Sequence, residues 1–256
     1  MPEHIKNIDL NRCVGCARCV KDCPSGNIRM SEMKAEFVSQ SCMNCGHCVA
    51  ICPKGAVSME GFDDEPVEAA DFTALNPVKL MTALRFQRSV RHFLRHDIDQ
   101  ETIDEIIEAG RLTPTGRNAQ DVRYYILDRK KDEAEQIAVR LFRRLVSAGK
   151  LVIPALRETN IDDRFFFKNA PLVILICADS TVDGSLAASN MMLMAQAKAL
   201  GGFYSGFFTL AVKHSPKLKR LLNLKKEKPV TTLVLGYPAV EYFRSVQREK
   251  ANVTVL

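Results

Sequence analysis

The feature that most constrains this chain is a cysteine pattern written twice. Cys13, Cys16, Cys19 and Cys23 are separated by two, two and three residues, and Pro24 follows. Cys42, Cys45, Cys48 and Cys52 repeat those gaps, and Pro53 follows. Other positions keep the same shift: Val20 matches Val49, Gly26 matches Gly55, Ile28 matches Val57 and Met30 matches Met59. Two copies make a small pseudo-symmetric domain rather than a solenoid. Each half reads as a cysteine loop, a short helix and a strand. Eight of the nine cysteines lie in this stretch, and Met1 to Leu10 carries no basic start followed by an apolar core. The expectation is a cytoplasmic protein whose cysteines ligate metal in a reducing compartment instead of forming disulfides.

Gaps of two residues let three sulfurs wrap one side of a compact cluster, and the run with its terminal Pro is the bacterial signature for [4Fe–4S] sites. Zinc also accepts four cysteines, but the doubled pattern with proline after each fourth cysteine favours two clusters. Residues 5 to 60 resemble bacterial two-cluster [4Fe–4S] ferredoxins. The resemblance implies crossed ligation, because in such proteins the fourth cysteine of each run serves the other cluster. Cys13, Cys16, Cys19 and Cys52 would hold one cluster, and Cys42, Cys45, Cys48 and Cys23 the other. Val20, Val49, Ile28 and Val57 would screen them from water. A domain of this size buries too little to be stable unaided, and the clusters would staple it.

The chain divides by charge as well as by motif. Its net charge of +6 is made of +1 over residues 1–60, −5 over residues 61–78 and +10 over the rest. We expect a two-[4Fe–4S] ferredoxin domain at 1–60, an acidic linker at 61–76 and a second domain at 77–256. The basic second domain suits an anionic cofactor such as a phosphate ester. Its basic residues are scattered and no nucleic-acid-binding module is present, so nucleic acid is not an expected partner. No apolar run is long enough for a membrane span.

Within the second domain, Asn76-Pro77 reads as N-cap and first helical residue, with the helix running to about Gln87. Asp99 caps the next helix, whose apolar face is Ile103, Ile106 and Ile107, ending near Leu112. Val122 to Leu127 reads as a strand. Lys130 to Ala148 reads as a helix with Ile137, Leu141, Leu145 and Val146 inward. Gly149 to Lys168 is irregular and reads as a flap. Pro171 to Ala178 is a strand buried on both faces, with Cys177 as a small buried hydrophobe. Asp183 to Leu200 is a buried Met/Ala-rich helix closed by Gly201-Gly202. Phe203 to Phe208 and Pro229 to Leu235 are strands, Ser215-Pro216 opens a short helix, and Asn252 to Leu256 is β-prone.

Three short motifs occur in order. Gln87-Arg88-Ser89-Val90-Arg91 follows the first helix, Thr113-Pro114-Thr115-Gly116-Arg117-Asn118-Ala119-Gln120 follows the second, and Leu235-Gly236-Tyr237-Pro238 with Arg248 comes last. With the Met/Ala-rich helix they make residues 77 to 256 resemble the nitroreductase family of FMN enzymes. The chemistry agrees: a dianionic phosphate calls for clustered Arg with a hydroxyl, which Arg88, Ser89 and Arg91 supply. The resemblance adds Arg248 to the phosphate and the flavin's polar edge. It brings Thr115 and Gly116 close to the ring, with Ser205 and Gly206 on the strand beside it. Asn118 carries the donor and acceptor that the pyrimidine edge needs, and Arg91 is the cation that would stabilise reduced flavin. Gln87 stands where the family usually has Arg, with Arg85 or Arg244 to compensate; Thr115 stands where it usually has Ser. The usual Trp after the Asn-x-Gln segment is missing.

The implied fold is α+β: a nitroreductase-like mixed, largely antiparallel sheet flanked by helices, preceded by the small ferredoxin-like domain. The implied assembly is a homodimer with the flavin at the subunit interface and the C-terminal segment donated across it. The implied activity is that of an FMN-dependent oxidoreductase. Electrons from a low-potential donor, a protein such as a ferredoxin or flavodoxin, would pass through two [4Fe–4S] clusters to FMN. From there they would reach a small electrophile: a nitroaromatic, a quinone or an activated alkene. No side chain is assigned a catalytic role, because the flavin carries the chemistry. The other reading is an electron-transfer module of a larger redox complex without its own small-molecule substrate.

Overall fold

The computed structural model describes residues 4–39, 42–68, 73–149, 158 and 160–256. The chain forms two compact units: Met1–Leu75 together with Thr115–Ala119, and Asn76–Pro114 together with Gln120–Leu256.

The first unit carries the repeat. Strand β1 (Ile5–Ile8) is followed by helix α1 (Arg18–Asp22), strands β2 (Ile28–Ser31) and β3 (Lys34–Phe37), helix α2 (His47–Ala50) and strand β4 (Val57–Glu60). β1 pairs antiparallel with β4, and β2 with β3. The expected helix and strand of each half are therefore present, and β3 is an addition. The repeat preserves backbone conformation where side chains differ. Gly15 (φ 69°) and its counterpart Asn44 (φ 50°) are both left-handed, as are Ala17 (φ 56°) and Gly46 (φ 71°), the N-caps of α1 and α2. Cys19, Cys48, Ile28, Ala35 and Val57 form the small core, with Val20 and Val49 packed against it. All four residues expected to screen the cysteine sites lie there.

The second unit is a four-stranded sheet between two layers of helices. Its elements are α3 (Pro77–Phe86), α4 (Gln100–Arg111), β5 (Arg123–Ile126), α5 (Lys131–Gly149), β6 (Leu172–Cys177) and α6 (Thr181–Ala197). β7 (Gly201–Tyr204), α7 (Gly206–His214), α8 (Pro216–Leu221) and β8 (Pro229–Gly236) follow. The strand order is β5-β6-β8-β7 and every pair is antiparallel. The parallel component is an isolated bridge from Ser89 to Gly202. β6 shows why its sequence is apolar throughout. Leu172, Ile174 and Ile176 face α4 and α6, while Val173, Leu175 and Cys177 face α5, α7 and α8.

The caps follow the sequence. Asn76 accepts from Lys79 N, Asp99 from Thr102 N and Ser215 from Leu218 N. Cys177 is buried, and burial pushes its thiol up to about 12, as suits a packing residue.

Four expectations change. Leu145 is 57% exposed, and α5 instead buries Ala134, Glu135, Ala138 and Val139 beside Ile137. The Glu135 carboxylate accepts Phe166 N at 3.1 Å and Phe167 N at 2.7 Å, a buried polar anchor that periodicity cannot reveal. Part of the expected flap, 150–157 and 159, lies outside the described residues. Its far end is core, since Phe166 and Phe167 are both 1% exposed. The strand expected over Phe203 to Phe208 ends at Tyr204, and Ser205-Gly206 begins α7.

Fourth, Gly201 and Gly202 do not cap α6. The helix stops at Lys198, and the following Ala199 takes the left-handed conformation (φ 59°). The glycines lie inside β7 because neighbours crowd them. A Cβ on Gly202 would stand 2.5 Å from the Val234 carbonyl oxygen and from Leu235 Cδ2. Overpacking of a core typically costs about 1–3 kcal/mol, and the backbone oxygen cannot move aside. Gly202→Ala is expected to destabilise by about 3 kcal/mol and to lower the melting temperature by about 6–12 °C, read by circular dichroism.

Candidate functional site

In the first unit, Cys13, Cys16, Cys19 and Cys52 line one cavity together with Ile8, Ala35 and Val57. Three come from the first cysteine run and one from the second, which is the crossed set. Among the described residues no three His, Cys, Asp or Glu side chains close on a single-ion site.

Backbone donors point at cysteine sulfurs of both runs. Asn27 N donates to Cys23 Sγ at 3.2 Å, Ala56 N to Cys52 Sγ at 3.2 Å and Asn44 N to Cys42 Sγ at 3.4 Å. Burial raises the Cys52 thiol, but backbone donors from Lys54 to Val57 outweigh it and hold the group below its ordinary range. Burial pushes the Cys48 thiol up to about 11. Cysteine sulfurs that accept backbone N–H groups, four of them lining a cavity with apolar walls, suit iron–sulfur ligation. His47 Nδ1 lies 3.1 Å from Asp22 Oδ2, which ties α2 to the end of α1.

In the second unit, the segment after α3 lies against β7. Val90 N donates to Gly202 O at 3.0 Å beside the Ser89–Gly202 bridge. This fixes Arg88 and Ser89 at the start of β7, while Ser205 and Gly206 stand at its other end. The Arg88 guanidinium sits 4.2 Å above the Tyr242 ring, and one of its terminal nitrogens donates to Arg244 O at 3.4 Å. Its Nε is buried with no hydrogen-bond partner among the described residues. Arg91 lies 5.4 Å from the Phe203 ring centre. The Ser205 hydroxyl turns inward and donates to Phe166 O at 3.0 Å. What remains open there is Gly206, where an added Cβ would meet nothing within 4 Å. An orphaned guanidinium N–H and an open glycine at a helix N-terminus are the features an anionic, flat cofactor uses.

Thr115, Gly116 and Asn118 belong by their contacts to the first unit. Gly116–Asn118 form a 3-10 turn that follows the extended Thr115, and Arg117 and Asn118 are left-handed. Asn118 Nδ2 donates to Met43 O at 3.1 Å and to Asn44 O at 2.9 Å. This partner was not legible in the sequence, because it joins positions more than seventy residues apart. Arg248 is exposed in a segment without regular structure; Tyr242 and Arg244 are the C-terminal residues that meet Arg88. Part of the second unit's basic excess lies away from this segment. Lys213, Lys219, Lys225, Lys226 and Lys228 gather around an open cavity of about 410 Å³ near Pro229, at the end of β8 remote from Gly201 and Gly202.

A ferredoxin-type cysteine domain joined to an α+β flavin domain defines an iron–sulfur flavoprotein oxidoreductase. The chain belongs to the nitroreductase family, whose pattern matches residues 84–237, and residues 5–53 match a 4Fe-4S dicluster domain. It is an FMN-dependent oxidoreductase by that membership. A relative described as a putative NADH dehydrogenase/NAD(P)H nitroreductase of Methanothermobacter thermautotrophicus is 25% identical over 177 residues, covering 64% of this chain and 80% of that protein. Among solved structures, a nitroreductase with bound FMN from Bacteroides fragilis matches with a TM-score of 0.56 at 19% identity, over 71% of this chain and all of the other. An FMN-dependent nitroreductase from Clostridium difficile matches with a TM-score of 0.54 at 16% identity, over 68% of this chain and 98% of the other. These two likenesses establish the α+β nitroreductase fold. No helix among the described residues is long and apolar enough to cross a membrane.

Proposed function

We propose that this protein takes electrons from a low-potential donor into two [4Fe–4S] clusters, passes them to FMN and delivers them to a small electrophile. Nitroaromatics, quinones and activated alkenes are the substrate class. The observation that carries the reading is the cavity lined by Cys13, Cys16, Cys19 and Cys52, ahead of a nitroreductase-family domain. Cys42, Cys45, Cys48 and Cys23 are assigned to the second cluster. Bound FMN supplies the chemistry of accepting electrons singly and releasing them in pairs.

The chain's own residues bind and orient. Arg88, held against Tyr242, presents its fork to the cofactor phosphate, with Ser89 and Arg91 beside it and Arg248 approaching from the C-terminal segment. Gly206 leaves room for the ring beside Ser205. Thr115, Gly116 and Asn118 are assigned to the flavin by resemblance. Family members are typically homodimers, and the surface supports a homodimer here. α3 buries none of its residues and exposes Val78, Leu80, Met81, Leu84 and Phe86. In the C-terminal segment Phe243 is 82% and Val255 92% exposed. Apolar side chains in such number call for a covering surface.

The test is direct. Protein reduced anaerobically with dithionite is expected to be reoxidised by nitroaromatics or quinones much faster than free FMN at equal concentration. Reoxidation at the rate of free FMN would count against a reductase.

A further inference from the structure

The two cysteine loops share spacing and backbone conformation, yet different donors hold them. In the first, the Lys34 ammonium donates to the Cys13 carbonyl. In the second, Asn118 donates to the carbonyls of Met43 and Asn44. The peptide unit joining Met43 to Asn44 is engaged at both ends. Its oxygen accepts from Asn118 at 3.1 Å, and its N–H donates to Cys42 Sγ at 3.4 Å. Asn44 is left-handed (φ 50°), a conformation that a non-glycine residue holds only when its surroundings enforce it.

We propose that Asn118 is a positioning residue for the second cysteine loop, acting through the Met43–Asn44 peptide on the sulfur of Cys42. This rests on the reading of Cys42, Cys45 and Cys48 as cluster ligands. A hydrogen bond to a peptide oxygen polarises that peptide and strengthens the donor at its other end. It also fixes the plane, so that the N–H stays aimed at the sulfur. Hydrogen bonds to cluster sulfurs tune the potential. A donor stabilises the more negative, reduced state and raises the potential. The first loop has a different donor, Lys34, placed one peptide earlier on the Cys13 carbonyl. The effect therefore belongs to one cluster of the two. Asn118 also shows why a residue so far along the chain clusters with the cysteine domain: the 3-10 turn at Gly116–Asn118 is part of that domain's scaffold.

The experiment is an anaerobic redox titration of the full, FMN-loaded chain, followed by electron paramagnetic resonance, with iron and flavin assays. Asn118→Leu removes both donors without adding charge. The expected result is a lower midpoint for one cluster, about tenfold in its oxidised-to-reduced ratio or ~59 mV, with the other midpoint unchanged. If the variant assembles poorly, the expected loss is confined to the cluster that Cys23→Ser also removes. Unchanged midpoints, whether or not FMN is lost, or an equal shift of both would overturn the proposal. Wild-type protein without [4Fe–4S] iron would instead overturn the cluster reading itself, before any variant is made.

Discussion

Cys52→Ser is expected to remove the same cluster as Cys13→Ser, although the two residues belong to different cysteine runs. Cys23→Ser is expected to remove the other. The geometry behind this is the shared cavity: Cys52 lines it with Cys13, Cys16 and Cys19. A serine oxygen is a harder and far less acidic ligand than a thiolate, and a cube left with three sulfurs loses iron. Each single variant should therefore retain roughly half the wild-type iron and one spectral component. The informative comparison is the double variant. Cys13→Ser with Cys52→Ser should keep as much iron as either single change, whereas Cys23→Ser with Cys52→Ser should lose nearly all. If ligation instead followed the order of the sequence, Cys13 with Cys23 would be the equivalent pair, and both of these doubles would lose nearly all their iron. Removing one cluster should also lower the thermal stability of the cysteine domain. Its core is only Ile28, Ala35, Val57 and the cysteines Cys19 and Cys48, with partly buried neighbours. A core so small depends on its metal groups to remain folded.

What the sequence discloses and what it hides divide along physical lines. Signals carried by neighbouring residues were legible. The caps at Asn76, Asp99 and Ser215 act within one helical turn, and all three formed as their residue types require. The cysteine gaps and the all-apolar β6 were equally local. Features that depend on distant neighbours were not legible. Gly201-Gly202 after a helix reads as a stop signal, yet the glycines answer to Val90, Val234 and Leu235 across β7 and β8. Leu145 keeps helical spacing with Leu141, but the apolar face of α5 turns toward Ala134 and Ala138 because the buried Glu135 must reach Phe166 and Phe167. The same limit applies to the candidate site. Arg88 was identified by its neighbours in the motif; its shelf, Tyr242, comes from the far end of the chain.

That shelf shapes the second large prediction, which concerns flavin retention. Arg88 has its face on Tyr242, one edge on the Arg244 carbonyl and a buried Nε without a partner among the described residues. A guanidinium so constrained offers its remaining N–H groups in a fixed direction, and a buried donor left unpaired is itself costly. A phosphate oxygen answers both conditions, since charge-assisted bonds to it are worth about 1.5–3 kcal/mol each. Arg88→Ala is therefore expected to weaken FMN binding by about 3 kcal/mol, about 150-fold in Kd, measured by quenching of flavin fluorescence on titration into flavin-stripped protein. Arg88→Lys keeps the charge but loses the planar fork, so only part of the affinity should return. Tyr242→Ala is expected to cost less, about 0.5–1 kcal/mol, because it removes the cation–π support and leaves the donors. The order Ala, then Lys, then the tyrosine variant distinguishes a receptor from an exposed basic turn. An exposed turn would show small and equal effects, all abolished by salt. The oriented fork keeps its ranking at high ionic strength, because the buried Nε is shielded from the screening that flattens surface charge.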